Sequence, residues 1–181
     1  MATKEFRRIL LDGNPVDVVV DGDDLARRIT DEVPGAAHVT VERSWPHTLN
    51  LKVTSRVPAL AVERGERDFE VLDLDGVVIR HVTSAPEDVP TVTAEDDAEV
   101  SGHGVKAAQG MLAALPAEMR SKVKDVRVDS ADQISFRLGS TRIIWGDGSK
   151  PEVKVEVIRI LQAKKAKTID VSAPDTPVTS G

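Results

Sequence analysis

Two alternating runs on either side of a proline constrain this chain more than any other feature. Val39 and Val41 alternate with polar residues, Ser44-Trp45-Pro46-His47 interrupts, and Leu49, Leu51 and Val53 alternate again. A period of two on both sides of a short break predicts two antiparallel strands joined by a turn. Proline has no N–H to give a ladder, so Pro46 belongs in the turn or at a strand start. The break Ser44–Thr48 is longer than a two-residue hairpin loop, and Trp45 caps the end of the apolar face. On pattern alone this is a hairpin with a structural role.

Upstream, Phe6, Ile9 and Leu10 stand at helical spacing, and Asp12-Gly13-Asn14-Pro15 ends that segment. Val16–Val20 is β-branched but too short to class. Leu25, Ile29 and Val33 repeat at i, i+4 and i+8 behind Asp23 and Asp24, which predicts an amphipathic helix with acids at its positive end.

Downstream, Val57-Pro58-Ala59-Leu60 reads as a stiff junction. Strands are expected at Ala59–Glu63, Phe69–Leu74 and Val77–His81, with Asp75-Gly76 as a type I′ hairpin turn. Ser84–Asp97 reads as a polar loop. Ala108, Met111, Leu112 and Leu115 share one face of a helix over Val105–Leu115, which Pro116 ends. Val123–Val128, Gln133–Leu138 and Thr141–Trp145 form a meander. Ser149–Lys165 carries two patterns: Val153–Ile160 alternates like a strand, whereas Ser149 as cap, Pro151, Glu152 and the late Lys164-Lys165 are helix-end signals. As a helix it would place Val153, Val157 and Leu161 on one stripe. Thr168–Ser172 is the last strand, followed by a tail with Pro174 and Pro177. The fold class is α+β: a small helix-and-hairpin module, then a larger β domain with a meander, flanking helices and a C-terminal edge strand.

Composition narrows the chemistry. A net charge of -6 argues against a nucleic-acid binder, and without cysteines no disulfide or thiolate site exists. No run approaches the length of a membrane-spanning helix and the N-terminus has no apolar signal core, so the chain as written is expected to be soluble. Gly102-His103-Gly104-Val105-Lys106-Ala107 fits G-x-G-x-x-A, but an acidic loop precedes it where a dinucleotide site needs a strand. The histidines His38, His47, His81 and His103 lack metal-ligand spacing, and Asp73-Leu74-Asp75-Gly76 lacks the remaining ligands of a calcium loop. No catalytic, cofactor or metal residues are assigned. The basic stretch Lys150–Lys167 is interrupted by Glu152 and Glu156 and is expected to be a solvated helix face.

The hairpin stretch also carries a resemblance. Val41, Arg43, Trp45, Pro46, Thr48 and Leu49, then Val53 and Pro58, resemble the V-x-R-x-W-P-x-T-L signature of the FtsQ/DivIB cell-division family. Val89-Pro90-Thr91-Val92 approximates that family's L-P-x-L/V, and the phrase Val126–Leu138 is similar to actinobacterial members. The resemblance implies a partial POTRA-like module over residues 1–57, a β domain over 58–172 and a tail over 173–181. It implies a further strand, a transmembrane helix and a cytoplasmic tail upstream of Met1, a helix rather than a strand over Ser149–Lys165, and a structural role for Arg43, Trp45, Pro46 and Leu49. The function implied is a non-catalytic scaffold at the septal membrane, extracytoplasmic for most of its length. It would bind the small coiled-coil proteins FtsB and FtsL and help recruit and regulate septal wall synthesis, with no cofactor. The alternative is a soluble α+β enzyme or small-ligand-binding domain, for which no convergent site is legible.

The resemblance places the FtsB contact at the last strand, Thr168, Ile169, Asp170, Val171 and Ser172, and just beyond it over Ala173–Thr179, with Ala173, Pro174, Asp175, Thr176 and Pro177 as its candidate residues and the helix after Pro151 alongside. An edge strand offers free N–H and C=O groups to which an extended partner can add. Pro174 and Pro177 have opposite parity, so a regular strand would aim one of them at the partner. A ladder confined mostly to Ile169–Thr176, or a bulge between the prolines, is therefore expected.

Overall fold

The computed structural model describes residues 21–44, 48–95, 99–163 and 166–180. The expected helix around Phe6–Leu10, the Val16–Val20 run and Trp45-Pro46-His47 lie outside them.

Helix α1 (Gly22–Glu32) begins at an acid: the Asp21 carboxylate accepts the N–H of Asp23 at 3.0 Å, capping the positive end. It packs on the antiparallel hairpin of β1 (Ala36–Ser44) and β2 (Thr48–Ser55), whose register sets Val39 opposite Val53 and Val41 opposite Leu51. Ala36 and Val39 are buried beneath it. All of β2 is exposed.

A second sheet follows from β3 (Leu60–Gly65), β4 (Asp68–Leu72), β5 (Val78–Val82), β6 (Thr91–Ala94), β7 (Val123–Val128), β8 (Ile134–Leu138), β9 (Thr141–Gly146), β10 (Thr168–Asp170) and β11 (Val178–Ser180). Its spatial order is β11-β10-β9-β8-β7-β6-β3-β4-β5. Helices α2 (Gly102–Ala114), α3 (Ala117–Arg120) and α4 (Pro151–Gln162) provide the crossovers, because β6–β7 and β9–β10 are parallel pairs that no tight turn can join. Met111 and Leu112 of α2 and Ile158 of α4 join one core with Val62, Val92, Val126, Phe136, Trp145 and Ile169 of the sheet. The result is α+β.

The structure departs from the sequence reading at five points. Thr91–Ala94 is a strand inside the stretch read as a loop, paired in parallel with both β3 and β7. The hairpin turn is not type I′: Gly76 has a positive φ and Asp75 does not, and Gly76 N–H donates to the Asp73 carbonyl at 3.3 Å. That is the geometry of a longer loop, held by the Asp73 carboxylate accepting from Asp75 and Val77 N–H groups. Helix α4 is capped at Lys150, in a left-handed conformation, rather than at Ser149, whose hydroxyl donates to Asp147. Its buried face is Lys154, Val155 and Ile158, so Val153 is left exposed and Lys154 is not on a solvated face. Finally, the tail contains a strand, β11.

Gly146 shows how closely the last elements pack. Its φ is +75°, and a Cβ there would lie 2.8 Å from the Ser172 Cβ and 3.0 Å from its Cα. Gly146→Ala is expected to cost about 2 kcal/mol, from left-handed strain and overpacking together. Thermal unfolding checks this, since a domain of this size should lose roughly 4–8 °C. An unchanged midpoint would mean that the end of β9 and the tail do not meet this closely.

Candidate partner-binding edge

The two ends of the nine-stranded sheet are β5 and β11, each paired on one side only among the described residues. At the C-terminal end, β10 is enclosed. It pairs in parallel with β9 (Thr168↔Arg142, Ile169↔Ile143, Asp170↔Ile144) and antiparallel with β11 (Thr168↔Ser180, Ile169↔Thr179, Asp170↔Val178). Ile169 and Val171 are fully buried in the core, whereas all three residues of β11 are exposed and Val178 is 63% accessible.

Between these strands the chain reverses, which changes the meaning of the two prolines. The Asp170 carboxylate accepts the Ser172 N–H at 2.9 Å and its hydroxyl at 2.7 Å, an Asx-type turn, and Thr176 N–H donates to the Ala173 carbonyl at 3.0 Å. Pro174 is buried in this reversal and Pro177 directly precedes β11. Neither proline interrupts a ladder, and the expected bulge between them is replaced by a turn. An exposed ion pair from Lys150 to Asp175 ties the turn to the start of α4. Pairs this accessible contribute little energy.

Below the turn, α4 is fixed by Lys154. Its ammonium donates to the Asp147 carbonyl at 2.8 Å and to the Asp147 carboxylate at 3.1 Å, and lies 5.3 Å from the centre of the buried Trp145 ring. The Asp147 carboxyl is held down to about 2, first by the Ser149 hydroxyl, then by the Ser149 N–H and Lys154. At the other end of the chain, Arg56 donates to Asp73 at 2.6 Å. Burial pushes the Asp73 carboxyl up, but the Val77 N–H, Arg56 and the Asp75 N–H outweigh it and leave the group below its ordinary value.

Of the signature residues, Arg43 pairs with Leu49 across the β1–β2 hairpin. Leu49 is 43% exposed, and Trp45 and Pro46 lie outside the described residues. Elsewhere nothing converges on a reaction. Gly104 opens α2 where a Cβ would fall 2.7 Å from Val128, so close helix–strand packing accounts for that glycine. Among the described residues no three His, Asp or Glu side chains are grouped to hold a metal. At this edge, the element that sequence reasoning missed is β11. Its only signal is the pair Val178-Thr179, too short to stand out after a proline.

At the level of class, this is an α+β chain with a helix-capped hairpin, a mixed sheet and an open backbone edge at its C-terminal end. The family profile described as "Cell division protein FtsQ/DivIB, C-terminal" matches residues 61–172. The chain is 40% identical over 172 residues to Cell division protein FtsQ of Streptomyces griseus, covering 90% of this chain and 82% of that protein. It is 37% identical over 173 residues to the protein of that name from Streptomyces venezuelae, covering 91% of this chain but 64% of the relative's length. Against Cell division protein FtsQ of Mycobacterium tuberculosis it is 29% identical over 159 residues, covering 87% of this chain and 49% of that protein. The chain belongs to the FtsQ/DivIB family of cell-division proteins.

Proposed function

We propose that this chain is a non-catalytic division scaffold that receives an extended strand of a small coiled-coil partner at the outer edge of β11. In the family's terms the partner is FtsB, with FtsL beside it, and the assembly helps recruit and regulate septal wall synthesis at the extracytoplasmic face of the membrane. The observation that carries this reading is the open edge of β11, a three-residue strand paired on one side and mounted on a buried one. Unpaired backbone groups at a sheet edge are a template for strand addition. Residues Thr168–Pro177 then serve as the platform: β10 supplies the inner ladder and the turn positions β11. Among its described residues no helix is long and apolar enough to cross a membrane.

Proline scanning tests this. Successive residues of a strand aim their backbone groups at opposite edges, so one of Val178 and Thr179 presents its N–H outward. Of the variants Val178→Pro and Thr179→Pro, that one should weaken FtsB binding by more than about tenfold. Its thermal midpoint should stay within about 2 °C, because no ladder bond inside the fold is lost. Full affinity in both variants would place the partner elsewhere.

A further inference from the structure

Over β7, β8 and β9 one face of the sheet is buried against α2 and α4 and the other carries exposed side chains, and the charges on that exposed face are not randomly spread. Lys124 of β7 lies directly across from Arg137 of β8, and Arg137 directly across from Arg142 of β9. The row continues to Thr168 of β10 and Ser180 of β11, so three exposed cations lead straight to the edge proposed for the partner. Arg127 adds a fourth cation in the neighbouring row, which runs through Ser135, Ile144 and Asp170 to the exposed Val178. Like charges directly opposite one another in a sheet are destabilising. A chain of net charge -6 has no general excess of cations from which such a row would arise by composition.

Anions also reach this face. Asp125 lies 3.9 Å from Arg137, Glu95 lies 3.6 Å from Arg142, and Asp170 is turned into its own hydrogen bonds with Ser172. Both ion pairs join groups that are about half exposed, so water screens them and they leave the row open to a stronger ligand. Lys124 and Arg127 have no carboxylate in ion-pair range among the described residues.

We infer that this open face is a second contact surface, and that the segment adding to β11 is flanked by an acidic stretch lying back across the Arg142–Arg137–Lys124 row. The inference rests on the strand-addition reading. Neighbouring strands are about 4.8 Å apart, so the row spans roughly 10 Å inward from β9. A polypeptide that leaves β11 and turns over the face meets its cations at that spacing. A row of cations beside one that mixes Arg127 and Asp170 with the apolar Ile144 and Val178 suits a mainly acidic segment that also carries aliphatic side chains. An anionic membrane fits less well, because Glu95 and Asp125 stand among the cations and, of the residues in these two rows, Val178 is the one strongly exposed apolar side chain.

The test uses the full chain and two synthetic peptides, each an alternating valine–threonine strand followed by a short run of either glutamates or glutamines. Fluorescence anisotropy at low salt should show the glutamate peptide binding about tenfold more tightly, with the advantage shrinking as salt is raised. In the variant Arg137→Gln with Arg142→Gln the advantage should fall below about threefold while Tm stays within roughly 2 °C, which a merely structural role would not allow. Equal binding of the two peptides, both weakened by the edge prolines, would overturn the inference and leave strand addition standing. Glutamate-dependent binding that ignores the edge prolines would instead remove the strand-addition reading beneath it. Binding to vesicles containing anionic lipid that displaces the glutamate peptide and depends on the same arginines would assign the face to a membrane and also overturn the inference.

Discussion

Replacing Lys154 with alanine is expected to cost the fold about 3 kcal/mol, among the largest effects of any single change in this chain. The side chain has no accessible surface, so its aliphatic stem is packed as a core residue and its truncation leaves a cavity. The ammonium also faces the Trp145 ring and satisfies the Asp147 carbonyl. Lys154→Met keeps the stem and discards the charge. It should cost less, about 1–2 kcal/mol, from the unpaired carbonyl and the lost cation–ring contact. Urea unfolding of the two variants separates packing from charge, and equal losses would mean that the ammonium, not the stem, matters. Because α4 joins β9 to β10, the alanine variant should also loosen the C-terminal edge. Acid should act on the same spot. The Asp147 carboxyl has a lowered pKa in the folded chain, so its contribution is present above the ordinary value of 3.8 and is lost as pH falls toward about 2. Its exposure keeps that contribution small.

Asp73→Ala is expected to cost a comparable amount, about 3 kcal/mol, by a different route. The carboxylate is 8% exposed and accepts from Arg56, Asp75 N–H and Val77 N–H. Its removal strands an arginine whose side chain is only 18% exposed and leaves two turn N–H groups without their acceptor. Arg56 follows β2 directly, and its own N–H donates to the Gly35 carbonyl at 2.9 Å. The loss should therefore appear as faster hydrogen exchange in Ala36–Arg56 as well as in the β4–β5 turn. Asp73→Asn keeps an acceptor for the turn and should lose about half as much. Since the folded pKa of Asp73 is lowered, the stabilisation is complete above 3.8 and declines as pH falls through the folded value. Exchange that rises only within the turn would show that Arg56 does not tie the hairpin to the larger sheet.

These two sites were not legible in the sequence, and the reasons are physical. A lysine within a run of charged residues reads as solvated, because only the fold reveals a carbonyl and an aromatic face placed to receive it. Asp73 reads as near the end of the strand Phe69–Leu74, just before a tight turn, but its ion pair joins residues 17 positions apart and leaves no local trace. By contrast, α1, α2 and the β7–β9 meander carry their own signals: acids at a cap, apolar residues at i, i+3 and i+4, and glycine or polar residues at turns. β6 was missed because a central strand of four residues exposes its pattern through one buried side chain, Val92, between prolines and acids. β11 was missed because Pro174 and Pro177 looked like obstacles to a strand when they are parts of the reversal that forms one. In the sequence, Thr168–Ser172 reads as the C-terminal edge strand, whereas pairing on both sides encloses that strand as β10. Which strand forms that edge required the register.

Hydrogen exchange at single amides, with and without FtsB, tests the strand-addition account most directly. In the free chain, the outward-facing N–H groups of Val178–Ser180 should exchange quickly, since among the described residues β10 alone is paired with that strand. On binding, at least one of them should gain protection of about a hundredfold or more, while the inner ladder of β10 changes little. Protection that appears along β5 or the β1–β2 hairpin, with Val178–Ser180 still open, would contradict the account.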